Sequence, residues 1–351
     1  MRRATGRAAS LSKRERIARF CSRTGLIRLL EKIPPQPCLF VLSYHHVGRA
    51  EESLYDPDMY SATVEDLDDQ VSYLKSRFHL ASLEEVRELL IRRSAWRQSM
   101  VLLTFDDGYL DNYTLAFPIL KSHGVQGIFF LATSFVGTRR LPWWDRIANL
   151  IRRTAKARLS LRYPARTDLD LAEDGVERAI RRANDLCKSP ATESSERFLA
   201  ELAEACEVAP AEEGPERQFL DWQEAEQMMR QGMAIGSHTH RHELLSTLTD
   251  AEEYDEVTTS RDILRERLGA DVFAIAYPVG SPTSFSSRTC ANIRRAGYEM
   301  GFSFYGGINL PSGTHPLDIR RVNVGRDLSP SLFRLETTVS LLPRWPPRRA
   351  R

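Results

Sequence analysis

No stretch of this chain approaches the roughly 20 consecutive apolar residues of a bilayer-crossing helix, so no helical span is predicted. Cysteine is scarce: Cys21, Cys38, Cys187, Cys206 and Cys290 are odd in number and scattered without paired spacing. A disulfide framework or a Cys-rich zinc site is therefore not expected. The basic N-terminus lacks a continuous apolar segment before a small-residue cleavage site, so no secretory signal is read and a cytoplasmic location is expected. Net charge is only +2, which gives no global field for nucleic acid. Internal repeats and low-complexity segments are also missing.

What remains is an ordinary globular composition, 42% hydrophobic and 27% charged over 351 residues. That length suits one large α/β domain with an insertion, or two domains. Basic residues gather at the ends: Arg2, Arg3, Arg7, Lys13, Arg14, Arg16 and Arg19, then Arg348, Arg349 and Arg351. They read as solvated tails, with peripheral contact to a membrane surface or acidic polymer as the alternative. The organisation expected is a basic extension over 1–36, a catalytic domain over 37–330 and a basic tail over 331–351.

Leu39 to Leu42 reads as a buried strand delivering Tyr44-His45-His46 at its end. Val101 to Thr104 and Gly127 to Leu131 are further strands, separated by helical periodicity around Tyr113 to Ser122. Strand alternating with helix argues for a parallel sheet or barrel. Residues 138–218 lack strong strand signals and read as a mostly helical insertion. The α/β pattern resumes with strands at Met233–Ile235, Val272–Ala276 and near Ile319–Val324.

Two motifs carry chemistry. Thr104-Phe105-Asp106-Asp107-Gly108 sets adjacent carboxylates at the end of a buried strand, where charge is costly unless paired or coordinated. His238 and His242 stand four apart, a spacing that puts both on one face of a helix or helical turn, with His240 pointing elsewhere. A carboxylate and two neutral imidazoles suit zinc with a position left open. Asp-Gly turn chemistry and a histidine-rich surface loop are the plainer readings.

The flanks of both motifs resemble the polysaccharide deacetylases (carbohydrate esterase family 4, the NodB-homology domain). Leu103 to Gly108 is similar to their first signature and Gly236-Ser237-His238-Thr239-x-x-His242 to their second. Ala276-Tyr277-Pro278-Val279-Gly280 stands where the third is expected. The resemblance spans roughly residues 39–325, excluding most of the insertion. It implies an irregular (β/α) barrel with a helical insertion. It also implies a divalent metal, zinc or alternatively Co2+, Ni2+ or Mn2+, on Asp107, His238 and His242. Asp106 would be the general base. Val279, through its backbone N–H, with Tyr277 and Arg321, would serve the oxyanion or substrate.

The third signature commonly carries an arginine two residues before its proline, where this chain has Ala276. Arg321 is the candidate substitute, with a structural or surface arginine as the alternative. The usual C-terminal histidine signature is not evident, and His315, before Pro316, fits poorly. Leu42-Ser43-Tyr44-His45-His46 instead resembles the N-terminal motif of the circularly permuted, exopolysaccharide-associated branch, which implies His45 as general acid. Trp143-Trp144 reads as packing, with sugar stacking as the alternative. The expected activity is metal-dependent N-deacetylation of an N-acetylated glycan or glycan precursor. A catalytically silent carbohydrate-binding protein and an O-deacetylase of a small glycoconjugate are the alternatives.

Overall fold

Strands covered on both faces carry continuous apolar runs, and this chain supplies them. The computed structural model describes residues 12–343 apart from Leu54 and Pro190. The tail arginines Arg2, Arg3, Arg7, Arg348, Arg349 and Arg351 lie outside the described residues. Seven parallel strands form the frame: β1 (Leu39–Tyr44), β2 (Met100–Phe105), β3 (Gly127–Leu131), β4 (Ala234–Ser237), β5 (Ala274–Ala276), β6 (Met300–Phe302) and β7 (Arg321–Asn323). Their order is β6-β5-β4-β3-β2-β1-β7, with a short strand at His79–Leu80 beside the start of β2. A bridge between Phe302 and Ile319 nearly closes the ring. The result is the irregular barrel that the resemblance implied.

Side chains on each strand alternate between two cores. Leu39, Val41, Leu102, Ile128, Phe130, Ala274 and Ala276 fill the interior, joined by Leu83, Val86 and Leu89 of the helix Leu83–Leu90. Phe40, Leu42, Leu103, Phe105 and Phe129 point outward, beneath helices such as Val64–Arg77. Continuing the inward parity along the chain reaches Ser43 and His45, Thr104 and Asp106, His238, and Arg321 and Asn323. One alternation thus gathers polar residues at the C-terminal mouth of the barrel, where parallel barrels place their chemistry.

One expectation needs correction and two need completing. The regular structure of residues 138–218 is mostly helical as expected, but Arg158–Leu161 and Thr167–Asp170 also pair as an antiparallel hairpin. Its alternation is too short to stand out, with only Leu159, Leu161 and Leu169 turned inward. Together with helices Trp143–Arg153, Val176–Cys187 and Ser195–Cys206, the hairpin builds a hydrophobic core of its own. The tail does not begin at 331, since Pro330–Leu341 is a helix. Ser329 caps it by accepting from the Leu332 N–H, and Leu332, Phe333 and Leu341 are buried. Finally, Lys13, Arg14, Arg16 and Arg19 are exposed as expected, while the helices Lys13–Arg23 and Leu26–Leu30 of the extension pack against that last helix.

Candidate active site

Chain ends at the barrel mouth are bent by backbone conformations that L-residues rarely adopt. Six non-glycine residues among those described have positive φ, and four of them belong here: Asp107 (71°), Thr239 (66°), His242 (58°) and Val279 (63°). Such conformations persist only where the surroundings impose them, and they concentrate at functional sites. After Asp107 the turn continues through Gly108 at φ 81°, where a Cβ would lie 2.7 Å from the Leu131 side chain. Only glycine fits there.

Asp106 and Asp107 are both buried but meet different environments. Asp106 accepts from Arg321, with Nη1 2.6 Å from Oδ1, and lies 3.5 Å from the Ser43 hydroxyl. Burial opposes its ionisation. The Arg321 guanidinium, assisted by His238 and His45, prevails and holds the carboxyl well below the usual carboxylate range. Arg321 is itself buried, donates through Nε to the Ser303 carbonyl and lies between the rings of Phe130 and Phe304. It supplies the cation that Ala276 does not.

Asp107 has no such partner. Neither of its buried carboxylate oxygens makes a hydrogen bond. Burial and the neighbouring Asp106 push its pKa up to about 8. Nε2 of His238 and Nε2 of His242 each stand 3.4 Å from its Oδ1. Donor atoms of the three residues all lie within 4.8 Å of one another. His238 Nδ1 sits 2.8 Å from the Ala276 carbonyl, which can only accept. The proton therefore resides on Nδ1, and Nε2 offers its lone pair to the cluster, the usual second partner of a ligating histidine. Burial lowers the pKa of both imidazoles, favouring the neutral form a cation needs. Two orphaned carboxylate oxygens facing two neutral imidazoles fit a divalent cation.

The four-residue histidine spacing works differently from the expectation. Residues 238–242 form a loop rather than a helix, and the left-handed Thr239 and His242 turn both rings inward. His240 points away as expected, its Nδ1 2.9 Å from the Thr133 hydroxyl.

The cluster opens into a cavity of about 210 Å³ lined by His45, Val279, Trp143, Trp144 and Arg321 among others. His45 packs edge-on against Phe304, and burial brings its pKa down to about 4 despite the opposing pull of Asp106. Tyr277 borders the cavity, but its hydroxyl donates to the Leu317 carbonyl and its ring stacks on Phe285. Its hydroxyl is thus engaged by the backbone while the residue still borders the cavity. His315 accepts from the Leu317 N–H in a turn and is not among the lining residues. Trp144 is buried, donates through Nε1 to the Tyr109 hydroxyl and packs against His242 at 4.6 Å between ring centroids. Trp143 is less buried and forms part of the wall.

Sequence reasoning missed Asp58, Met59 and Ser61 on the near wall and Lys188 on the insertion. None sits in a motif, and Lys188 follows an ordinary amphipathic helix. The sole signal for Lys188 was membership of the segment opened by Trp143-Trp144.

The sequence profile of the family described as polysaccharide deacetylase matches residues 94–301. The Bacillus subtilis protein YxkH, described by inference as a polysaccharide deacetylase, is 20% identical over 294 residues, covering 84% of this chain and 74% of that protein. Two solved structures share the fold. The Streptococcus pyogenes deacetylase PplD, in complex with acetate, is 19% identical with a TM-score of 0.55, covering 88% of this chain and all 100% of its own. IcaB from Ammonifex degensii is 18% identical with a TM-score of 0.56, covering 88% and 99%.

Proposed function

The chain belongs to the polysaccharide deacetylase family, and from that premise we propose that it is a metal-dependent N-deacetylase of N-acetylated amino sugars in a polysaccharide or glycan precursor. One observation carries this reading above the others: a buried carboxylate held ionised by Arg321 stands beside a second carboxylate that has no cation partner and faces two neutral imidazoles. The first is equipped as a base and the second as a ligand.

Asp107, His238 and His242 would hold the cation, zinc in preference to Co2+, Ni2+ or Mn2+. When bound, it polarises the acetamide carbonyl and makes water more acidic. Asp106 accepts the proton of the attacking water, and Arg321 keeps that carboxylate ionised and aimed. As water adds to the acetyl carbon, the backbone N–H of Val279 donates to the developing oxyanion. The carbon–nitrogen bond then breaks, acetate departs and the amine gains a proton. His45 delivers that proton. Burial keeps His45 neutral at rest, so it relays to the amine the proton that Asp106 took from water, which returns Asp106 to its ionised form.

Acetate release from N-acetylated oligosaccharides tests the proposal. Activity should vanish on chelation and return with added zinc. A zinc-loaded protein that binds such glycans yet releases no acetate from any of them would favour the silent carbohydrate-binding reading.

A further inference from the structure

The barrel carries a surface that its chemistry does not need. Among the described residues, seven large apolar side chains are left exposed. Six of them belong to one module, formed by the helices Lys13–Arg23 and Leu26–Leu30 with the last helix. They are Ile17, Phe20, Leu26, Leu29, Ile33 and Val339, with Phe20 64% and Leu29 61% exposed. The first helix buries Glu15, Ala18 and Cys21 against the body. At 100° per residue, Phe20 falls opposite that face and Ile17 to one side of it, and both are exposed, so the helix turns apolar side chains to solvent. Soluble proteins seldom leave such a patch uncovered unless something binds it.

Charge says what covers it. The module has three acids, and each is engaged by an arginine of the same module: Glu15 by Arg19, Glu31 by Arg334 and Glu336 by Arg14. Glu31 also accepts from the Tyr73 hydroxyl. Five cations remain, Lys13, Arg16, Arg23, Arg28 and Lys32, all exposed and without an ion-pair partner among the described residues. Lys13 and Arg16 flank Phe20 on the outward face. Exposed aromatic and leucine side chains bordered by unpaired Lys and Arg, with every acid neutralised, match an anionic lipid surface. A second copy of this chain matches poorly. A two-fold interface would set the same unpaired cations against one another.

We propose that this three-helix module is a peripheral docking surface for anionic phospholipid membranes, inserting Phe20 and Leu29 among the acyl chains while the five cations meet headgroup phosphates. No bilayer crossing is involved. The surface is independent of the catalytic cavity, so it stands whether or not the proposed deacetylation does.

Co-sedimentation of the full-length protein with vesicles tests it. Wild type should bind phosphatidylcholine–phosphatidylglycerol vesicles, bind pure phosphatidylcholine far less, and be released by high salt. Lys13→Glu/Arg16→Glu/Arg23→Glu should lower partitioning at least about 10²-fold, at roughly fivefold or more per cation near a charged bilayer. Phe20→Ser/Leu29→Ser should lower it at least about tenfold with an unchanged thermal midpoint, since both side chains are exposed. Should that double variant misfold, Leu29→Ser alone gives the same readout. Failure of wild type to bind the mixed vesicles overturns the proposal, as does undiminished binding by the charge-reversed variant. A concentration-dependent dimer that Phe20→Ser/Leu29→Ser dissolves would assign the patch to a second copy instead.

Discussion

Arg321 and Asp106 stand 215 positions apart in the chain and meet as a buried ion pair, with Nη1 2.6 Å from Oδ1. The pair explains how a third signature with Ala276 in place of arginine can leave the Asp106 carboxylate oriented. Nothing local links the two residues. Arg321 opens β7, which lies against β1, and β1 lies against β2, whose end carries Asp106. The cation therefore reaches across one intervening strand.

Replacing Arg321 by Met should leave Asp106 as an uncompensated buried charge and cost about 3 kcal/mol in denaturant unfolding. Loss of the guanidinium also raises the Asp106 pKa. The acid limb of the kcat/KM profile should then move to higher pH, with Arg321→Lys restoring part of the shift. An unchanged acid limb in Arg321→Met would show that the arginine is structural only.

The orphaned state of Asp107 predicts a pH dependence of the metal-free protein. Its folded pKa, about 8, lies above the ordinary unfolded carboxylate value of about 3.9. A raised pKa means the folded state holds a proton that the unfolded state has lost. That stabilising contribution is complete below about pH 4 and disappears as pH rises through about 8. Metal-free wild type should therefore lose stability, relative to metal-free Asp107→Asn, between those limits. Parallel stability curves from pH 5 to 9 would refute the shift.

Much of this was legible in the sequence because inward and outward parity on parallel strands is regular. The apolar runs at Leu39, Val101 and Gly127 announced strands, and the polar residues that broke those runs marked their mouths. Two things were not legible. The inward turn of His238 and His242 depends on left-handed backbone at Thr239 and His242, which neither residue type advertises. The wall that brings Lys188 opposite Asp58 and Ser61 depends on how the insertion folds back over the segment before helix Val64–Arg77, and long-range placement of that kind leaves no local pattern. Arg321 lay between these cases. The gap at Ala276 called for a cation, but only the register of β7 against β1 selects this one.

Metal should bind at one ion per chain, measured by calorimetry after chelation. His238→Ala and Asp107→Ala should each lower affinity at least about 10²-fold by removing one of three ligands. Asp106→Asn should behave differently: it keeps the shape but cannot accept a proton. Affinity should remain within about tenfold while turnover falls by about 10²-fold or more. Metal loss in Asp106→Asn at unchanged residual turnover would reverse the roles of the two aspartates.

His45 tests the proton path at its far end. An amine leaves poorly unless protonated, whereas the leaving group of an activated aryl ester departs unaided. His45→Ala should bind metal normally, lose acetate release from N-acetylated sugars by about 10²-fold or more, and retain much of any aryl acetate hydrolysis. His46→Ala is the informative control. That ring is sandwiched between Tyr60 and Tyr109 and engaged by Asp111, so its loss should lower stability without separating the two substrates. Equal losses on amide and ester in His45→Ala would mean that His45 positions substrate. A wild-type amide rate there, with His46→Ala inactive, would transfer the acid role one residue along the chain.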